Sequence, residues 1–340
     1  MQAQQLTREP SALSVTAEDS DMDAGFSDMD AGGPALIRDM SVDQLDEGAR
    51  EAMVSPSSTE LPLDAEPMDL PRASQLMATQ SAEAREEQLS FVTRPVPLGT
   101  RQLCRIVRRR EGVGSTHHTY EVFLEENNNV VPLLFARKMR SQTASYIVTL
   151  PGPRDRGLKE RTIARVRSNF LGTGFTIYDN GLPPSKAPRS VPAPQPPRRE
   201  LAAVMYQPNF LGHKGPRKMT IIIPPVKNDG VPVEVRPLEE KDTLIERHRT
   251  SNDHDLIVMH NKAPNWSEET QSFVLDFNQR VTIASVKNFQ IVHDHDLDHI
   301  CIQFGRIAED TFTMDVQYPF SPTVAFCVAL TSFDAKLACE

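Results

Sequence analysis

The sequence predicts a mainly β protein: a closed antiparallel sheet around a C-terminal hydrophobic helix, preceded by a disordered tail. Three observations carry this reading. From about Phe91 onward, short alternating, β-branched or aromatic runs are separated by turn residues. The stretch Ser321–Glu340, SPTVAFCVALTSFDAKLACE, holds an apolar run with helical start signals and almost no polar stripe. Residues 1 to 90 show no sustained apolar period at all.

The tail is acidic as well as polar. It carries five Arg, no Lys and 19 Asp or Glu, a net charge of −14. The rest of the chain holds 32 Lys and Arg against 27 acids, a net of +5, so the overall −9 hides a mildly basic body. Such a tail buries too little apolar surface to offset chain entropy. Within it, DMDAG occurs at Asp21–Gly25 and again at Asp28–Gly32, read as low-complexity drift or as a short linear motif. Ala82 to Gln88 has the content of a brief acidic helix, with nothing that obliges one.

Strand-like text then runs through Arg101–Arg109, Thr119–Leu124, Val130–Ala136, Tyr146–Thr149 and Phe175–Tyr178, the last closed by the turn Asp179-Asn180-Gly181. Prolines crowd Leu182–Arg199, a surface loop rather than a boundary, because strand text resumes at Leu201–Tyr206. Lys218–Ile223 and Leu256–His260 follow, with a turn-rich segment over Asn261–Gln271. Ser272–Phe277, Arg280–Ser285, Phe289–Val292 and His299–Phe304 read as closely spaced strands. At the end, Ser321 supplies an N-cap oxygen and Pro322 suits the first helical position. The apolar run Val324–Leu330 is too short to span a bilayer, which takes about 20 residues. A barrel lumen is the dry place that such a sheet offers it.

Cys104, Cys301, Cys327 and Cys339 show no metal-type spacing, and Met1–Pro10 shows no signal peptide, so reduced thiols and a cytosolic or nuclear setting are expected. His293–His299 (HDHDLDH) packs three His and three Asp into seven residues, yet its place between two strands makes it a turn rather than a metal site. No nucleophile elbow, P-loop or metalloprotease helix is present, so neither an enzyme nor a cofactor is expected.

Arg165 and Arg167 lie two apart in ARVRSN, which on a strand places both guanidinium groups on one face. Arg137, Lys138 and Arg140 form a basic edge suited to anionic lipid. Arg108-Arg109-Arg110 reads as a charged hairpin end.

Asn278–Gln290 (NQRVTIASVKNFQ) and Ala325–Glu340 (AFCVALTSFDAKLACE) resemble the two signature segments of the Tubby family. ARVRSNFLGTGFTIYDNG, RELAAVMYQPNFLGHKGPRKM and FGRIAEDTFTMD are similar to it too, and the resemblance covers roughly Phe91 to Glu340. It implies a twelve-stranded antiparallel barrel around a central helix. It also implies binding of phosphatidylinositol 4,5-bisphosphate at the inner face of the plasma membrane, with delivery of receptor cargo to cilia. Arg165 and Arg167 match the family's headgroup-binding Lys and Arg, Arg198 matches a further basic contact, and Ser145 stands where many relatives carry Asn. Animal relatives carry a basic helical segment that binds intraflagellar transport complex A; residues 1 to 90 here contain no lysine. An alternative function is a nuclear regulator with an acidic activation segment, although +5 is modest for nucleic-acid binding and no groove-reading helix is visible.

Overall fold

The computed structural model describes residues 82–110, 118–126, 129–152, 161–186, 196–207, 218–268 and 272–334. The expectation of a disordered tail falls largely outside these residues, as does the middle of the proline-rich loop.

Twelve strands close into an antiparallel barrel. In chain order they are β1 (Gln102–Arg110), β2 (His118–Glu126), β3 (Asn129–Lys138), β4 (Ser145–Thr149), β5 (Thr162–Ser168), β6 (Gly174–Tyr178), β7 (Glu200–Tyr206), β8 (Met219–Ile223) and β9 (Ile257–Asn261). A two-stranded ribbon, β10 (Asn265–Ser267) with β11 (Ser272–Val274), stands apart from the ring. The circuit resumes with β12 (Phe289–His293), β13 (Asp296–Ala308) and β14 (Thr311–Val316). Sequence neighbours pair except at two joins: β12 pairs back to β9, and β14 pairs with β1 to shut the barrel. Closure leaves this sheet no free edge.

Period-two alternation decides what fills the lumen. On β5, Ala164 and Val166 are fully buried while Ile163, Arg165 and Arg167 between them are not. Phe175 and Ile177 on β6 and Tyr146 and Val148 on β4 join the same core. Through that core runs the terminal helix, Pro322–Thr331. Every residue in it except Val324 is buried. Ser321 caps it as expected, its hydroxyl accepting from Val324 N at 3.2 Å, with Pro322 in the first turn. A first helix, α1 (Ala82–Thr93), begins where the sequence left one optional and runs on past Phe91. It is tied to the barrel by Gln88 Nε2, which donates to Pro132 O at 3.0 Å, and by buried Val92. Just beyond it, Val96 N donates to Phe320 O at the entry to the terminal helix.

Three sequence expectations need correction. Arg280–Ser285 is not a barrel strand; apart from one bridge, Ile283 to Arg306, it lies as a strap across the outside of β13 and β14. Val281 packs so closely on Gly305 that a Cβ there would come within 2.3 Å of Val281 Cγ2. Arg280 pins the strap, its Nη2 2.7 Å from Asp315 and its Nη1 3.0 Å from Glu125. Ser272–Phe277 contributes a three-residue strand to the ribbon, and Asn261–Gln271 supplies the ribbon's other strand rather than turns alone. A short helix, α2 (Leu244–Arg249), was not anticipated. Its buried Leu244 packs with Ala203 and Ile222 on the outer face of β7 and β8. The terminal helix is therefore α3.

Cys104, Cys301 and Cys327 are free and buried, and burial pushes the Cys301 thiol up to about 11. Cys339 lies outside the described residues. Of the HDHDLDH segment only Asp294 and His295 form the tight β12–β13 turn, the other five residues lying on the two strands, and no cluster fit to hold a metal ion occurs among the described residues. Among those residues no helix is long and apolar enough to cross a membrane.

Candidate headgroup site

β5 sets the site. Its lumen-facing residues are Ala164 and Val166, so Arg165 and Arg167 project outward, as their spacing predicts. Two cross-strand rows run through them. In one, Arg137 on β3 pairs with Ile147, Ile147 with Arg165, and Arg165 with Tyr178 on β6. In the other, Ser145 on β4 faces Arg167, which faces Thr176. Directly opposed side chains in such ladders stand about 4.5–5.5 Å apart at Cβ, so each row is continuous.

Arg198 reaches this face from the far end of the proline-rich loop. The two feet of the loop are clasped: Leu182 N donates to Pro196 O at 3.0 Å and Arg198 N donates to Leu182 O at 2.8 Å. The turn Asp179-Asn180-Gly181 holds the clasp, since Asp179 Oδ1 accepts from Gly181 N at 2.9 Å and from Arg199 N at 2.8 Å. Arg198 then lays its guanidinium 4.4 Å from the centroid of the Tyr178 ring, a cation–π contact. Tyr178 is thus a wall between Arg165 and Arg198. The sequence reading missed it, along with Asn180, whose Oδ1 accepts from Arg165 Nε at 3.3 Å and Nη2 at 3.2 Å. Both sit in the TIYDNG string, but nothing in strand periodicity says which aromatic will carry a cation.

Among the described residues, Arg165, Arg167 and Arg198 make no salt bridge. Two acids stand near this face: Glu200, which feels the Arg198 charge, accepts from Leu244 N at 2.8 Å, and Asp179 is turned to other cations, with Arg199 Nε at 3.8 Å and Arg236 Nη1 at 3.6 Å. Glu234 is held below the ordinary carboxylate range by its hydrogen bond from Arg236. Three forked donors are left on one outward face, a geometry that suits phosphate oxygens.

The basic edge divides. Arg137 lies in the same row as Arg165, and Arg140 is exposed in the following turn. Lys138 instead turns to the barrel end, where Nζ sits 2.6 Å from Asp334 Oδ1. Tyr146 donates its hydroxyl to the other oxygen of that carboxylate, just past α3. Lys138 therefore fastens the helix in place more than it offers charge outward.

The Tub family model matches residues 92–335. The chain belongs to the Tub family. It is 45% identical over 254 residues to human Tubby-related protein 3, 43% identical over 257 residues to human Tubby-related protein 1, and 46% identical over 261 residues to Tubby protein homolog 1 of Caenorhabditis briggsae. Those alignments take in 74, 75 and 74% of this Tub family chain and 57, 47 and 61% of the respective relatives, so it spans about half to three-fifths of their length. The family that matches is not a family of enzymes.

Gly181 makes the clasp of this Tub barrel testable. A Cβ there would lie 2.5 Å from Arg198 Cα and 2.7 Å from Arg198 N, both backbone atoms that cannot swing aside. Gly181→Ala is expected to displace Arg198 from Tyr178 and weaken headgroup binding several-fold, with the barrel's melting little changed. Calorimetric titration beside a melting curve checks it; unchanged affinity would show that Arg198 takes no part.

Proposed function

We propose that this Tub family chain is a peripheral membrane adaptor that binds phosphoinositides, phosphatidylinositol 4,5-bisphosphate foremost, at Arg165, Arg167 and Arg198. The observation that carries the reading is the outward arginine face around Tyr178, free of salt bridges to acidic side chains of the described residues. Ser145 stands opposite Arg167 in register and offers a hydroxyl at the rim of the same face. Arg137, one strand over, adds charge that favours an anionic leaflet at about 1 kcal/mol per cation near the surface. In the cell, the reading places the protein at the inner face of the plasma membrane. There it couples lipid recognition to receptor trafficking towards cilia, with receptor cargo and intraflagellar transport complex A as partners.

The test compares flotation on phosphatidylcholine vesicles with and without phosphatidylinositol 4,5-bisphosphate, beside a duplex-DNA titration at matched salt. Binding is expected only when the phosphoinositide is present. A fluorescent fusion is expected to leave the plasma membrane on acute depletion of that lipid. Equal flotation on both vesicle types, or tighter binding to DNA, would turn the reading towards simple charge attraction or the nuclear alternative.

A further inference from the structure

Next to the arginine face the barrel ends in a tip that is apolar where water would favour polar groups. The β5–β6 connection, Asn169 to Thr173, holds Phe170 at 84% exposure and Leu171 at 56%. Phe170 is the most exposed large hydrophobic side chain among the described residues. Single exposed apolar residues are ordinary on protein surfaces. Two in succession at the tip of a tight turn, three residues from an exposed arginine, are not accounted for by packing.

The turn is built to hold them out. Asn169 Oδ1 accepts from Thr173 N at 3.0 Å and from Gly174 N at 3.2 Å, while its Nδ2 donates to Thr173 Oγ1 at 3.0 Å. Asn169 N donates to Gly174 O at 2.7 Å, and Gly172 takes φ +68°, a conformation that glycine adopts without strain. Tyr206 N donates to Thr173 O at 2.7 Å and braces the turn against β7. With its backbone fixed, the turn spends little further entropy when Phe170 and Leu171 are buried by a second phase.

A neighbouring connection shares this end. Ser168 N donates to Ala144 O at 2.9 Å, and Ala144 N donates to Ser168 Oγ at 3.0 Å, joining the β3–β4 and β5–β6 turns side by side. The first of these presents Met139, 37% exposed, and exposed Arg140. Arg167 stands at the base of the second, exposed and without a salt bridge. The end of the barrel thus offers an apolar point with cations around its base. That order matches a bilayer surface met from outside, anionic headgroups first and hydrocarbon beneath.

We infer that the Phe170–Leu171 turn is a membrane-insertion wedge that enters the acyl-chain boundary of an anionic lipid leaflet while the arginines beside it engage phosphate. The inference deepens the headgroup reading, since Arg167 belongs to both, and it names the bilayer itself as a second ligand. Two contacts then act in series on one surface. The headgroup supplies selectivity, and the wedge lengthens residence and fixes the angle at which the barrel sits.

The experiment uses the full chain and two variants. Phe170→Ser with Leu171→Ser leaves Asn169 and Gly172 in place, so its melting curve is expected to match the parent's. Its affinity for the free inositol trisphosphate headgroup is expected to stay within twofold, by calorimetry. On vesicles carrying phosphatidylinositol 4,5-bisphosphate its binding is expected to fall on the order of 10- to 100-fold, the worth of withdrawing two large side chains from hydrocarbon. In the second variant, Phe170→Trp, emission read against the parent's Trp266 background is expected to be quenched by vesicles with brominated acyl chains. Vesicle binding equal to the parent's, or an unquenched Trp, overturns the wedge and leaves the surface to a protein partner. If the parent takes up the free headgroup while the wedge fails, the phosphoinositide reading survives. If the parent ignores the headgroup but the Trp is quenched on plain anionic vesicles, the wedge stands and the phosphoinositide reading falls.

Discussion

Phe326→Asp is expected to give insoluble protein. Phe326 lies fully buried at the middle of α3, and α3 has barrel on every side. A carboxylate there would lose its water with no cation to replace it, because the described residues that cluster around it in the core carry no charge. Isolated charges in such surroundings cost far more than the 5–15 kcal/mol by which ordinary domains are stable. Phe326→Leu is the control: it keeps apolar character, leaves a small void, and is expected to lower stability by about 1–3 kcal/mol while still folding. Soluble yield and thermal melting of the pair give the answer. An Asp variant that melts cooperatively near the parent would falsify the central placement of the helix.

Arg165→Ala with Arg167→Ala is expected to cost on the order of 100-fold or more in headgroup affinity and nothing in folding. Charge-assisted hydrogen bonds contribute about 1.5–3 kcal/mol each, and two lost contacts reach that range. Folding should be spared because Arg167 has no side-chain partner among the described residues and Arg165 has only Asn180. Replacing both by Lys keeps the charge but removes the fork, so it should fall between parent and double Ala. Calorimetry with the free headgroup, paired with melting curves, separates loss of the site from loss of the fold. A double Ala variant that folds and binds as the parent does would move the site to the Arg137–Arg140 edge.

The helix in the barrel was legible because it is described by local signals: a cap, a proline and an apolar run with no polar side. β14 was not, although Phe312, Met314 and Val316 alternate. Its outward positions, Thr313 and Asp315, are polar and yet buried, because the Arg280 strap covers them and meets their hydrogen bonds. The same strap misled in the other direction. Val281 and Ile283 alternate as strand residues do, but they serve packing and a single bridge on the barrel's outside rather than a ladder. α2, at six residues, is too short for a helical period to emerge. At the site, the Arg165–Arg167 spacing could be read directly, whereas Tyr178 acquires its role only when the distant foot of the proline-rich loop returns with Arg198. Periodicity carries no information about that return.

The join between β1 and β14 has a consequence in time. The partners lie roughly 200 residues apart along the chain. At about 5–20 residues per second on a ribosome, β1 waits some tens of seconds before its second neighbour exists. During that interval its outer ladder is bare, and its lumen face, with Cys104 and Ile106, has no helix to rest on. Until then the chain carries an unpaired edge and an uncovered apolar face that the closed barrel hides. Edge-to-edge pairing between such open sheets is the hazard that closure by β14 and α3 removes.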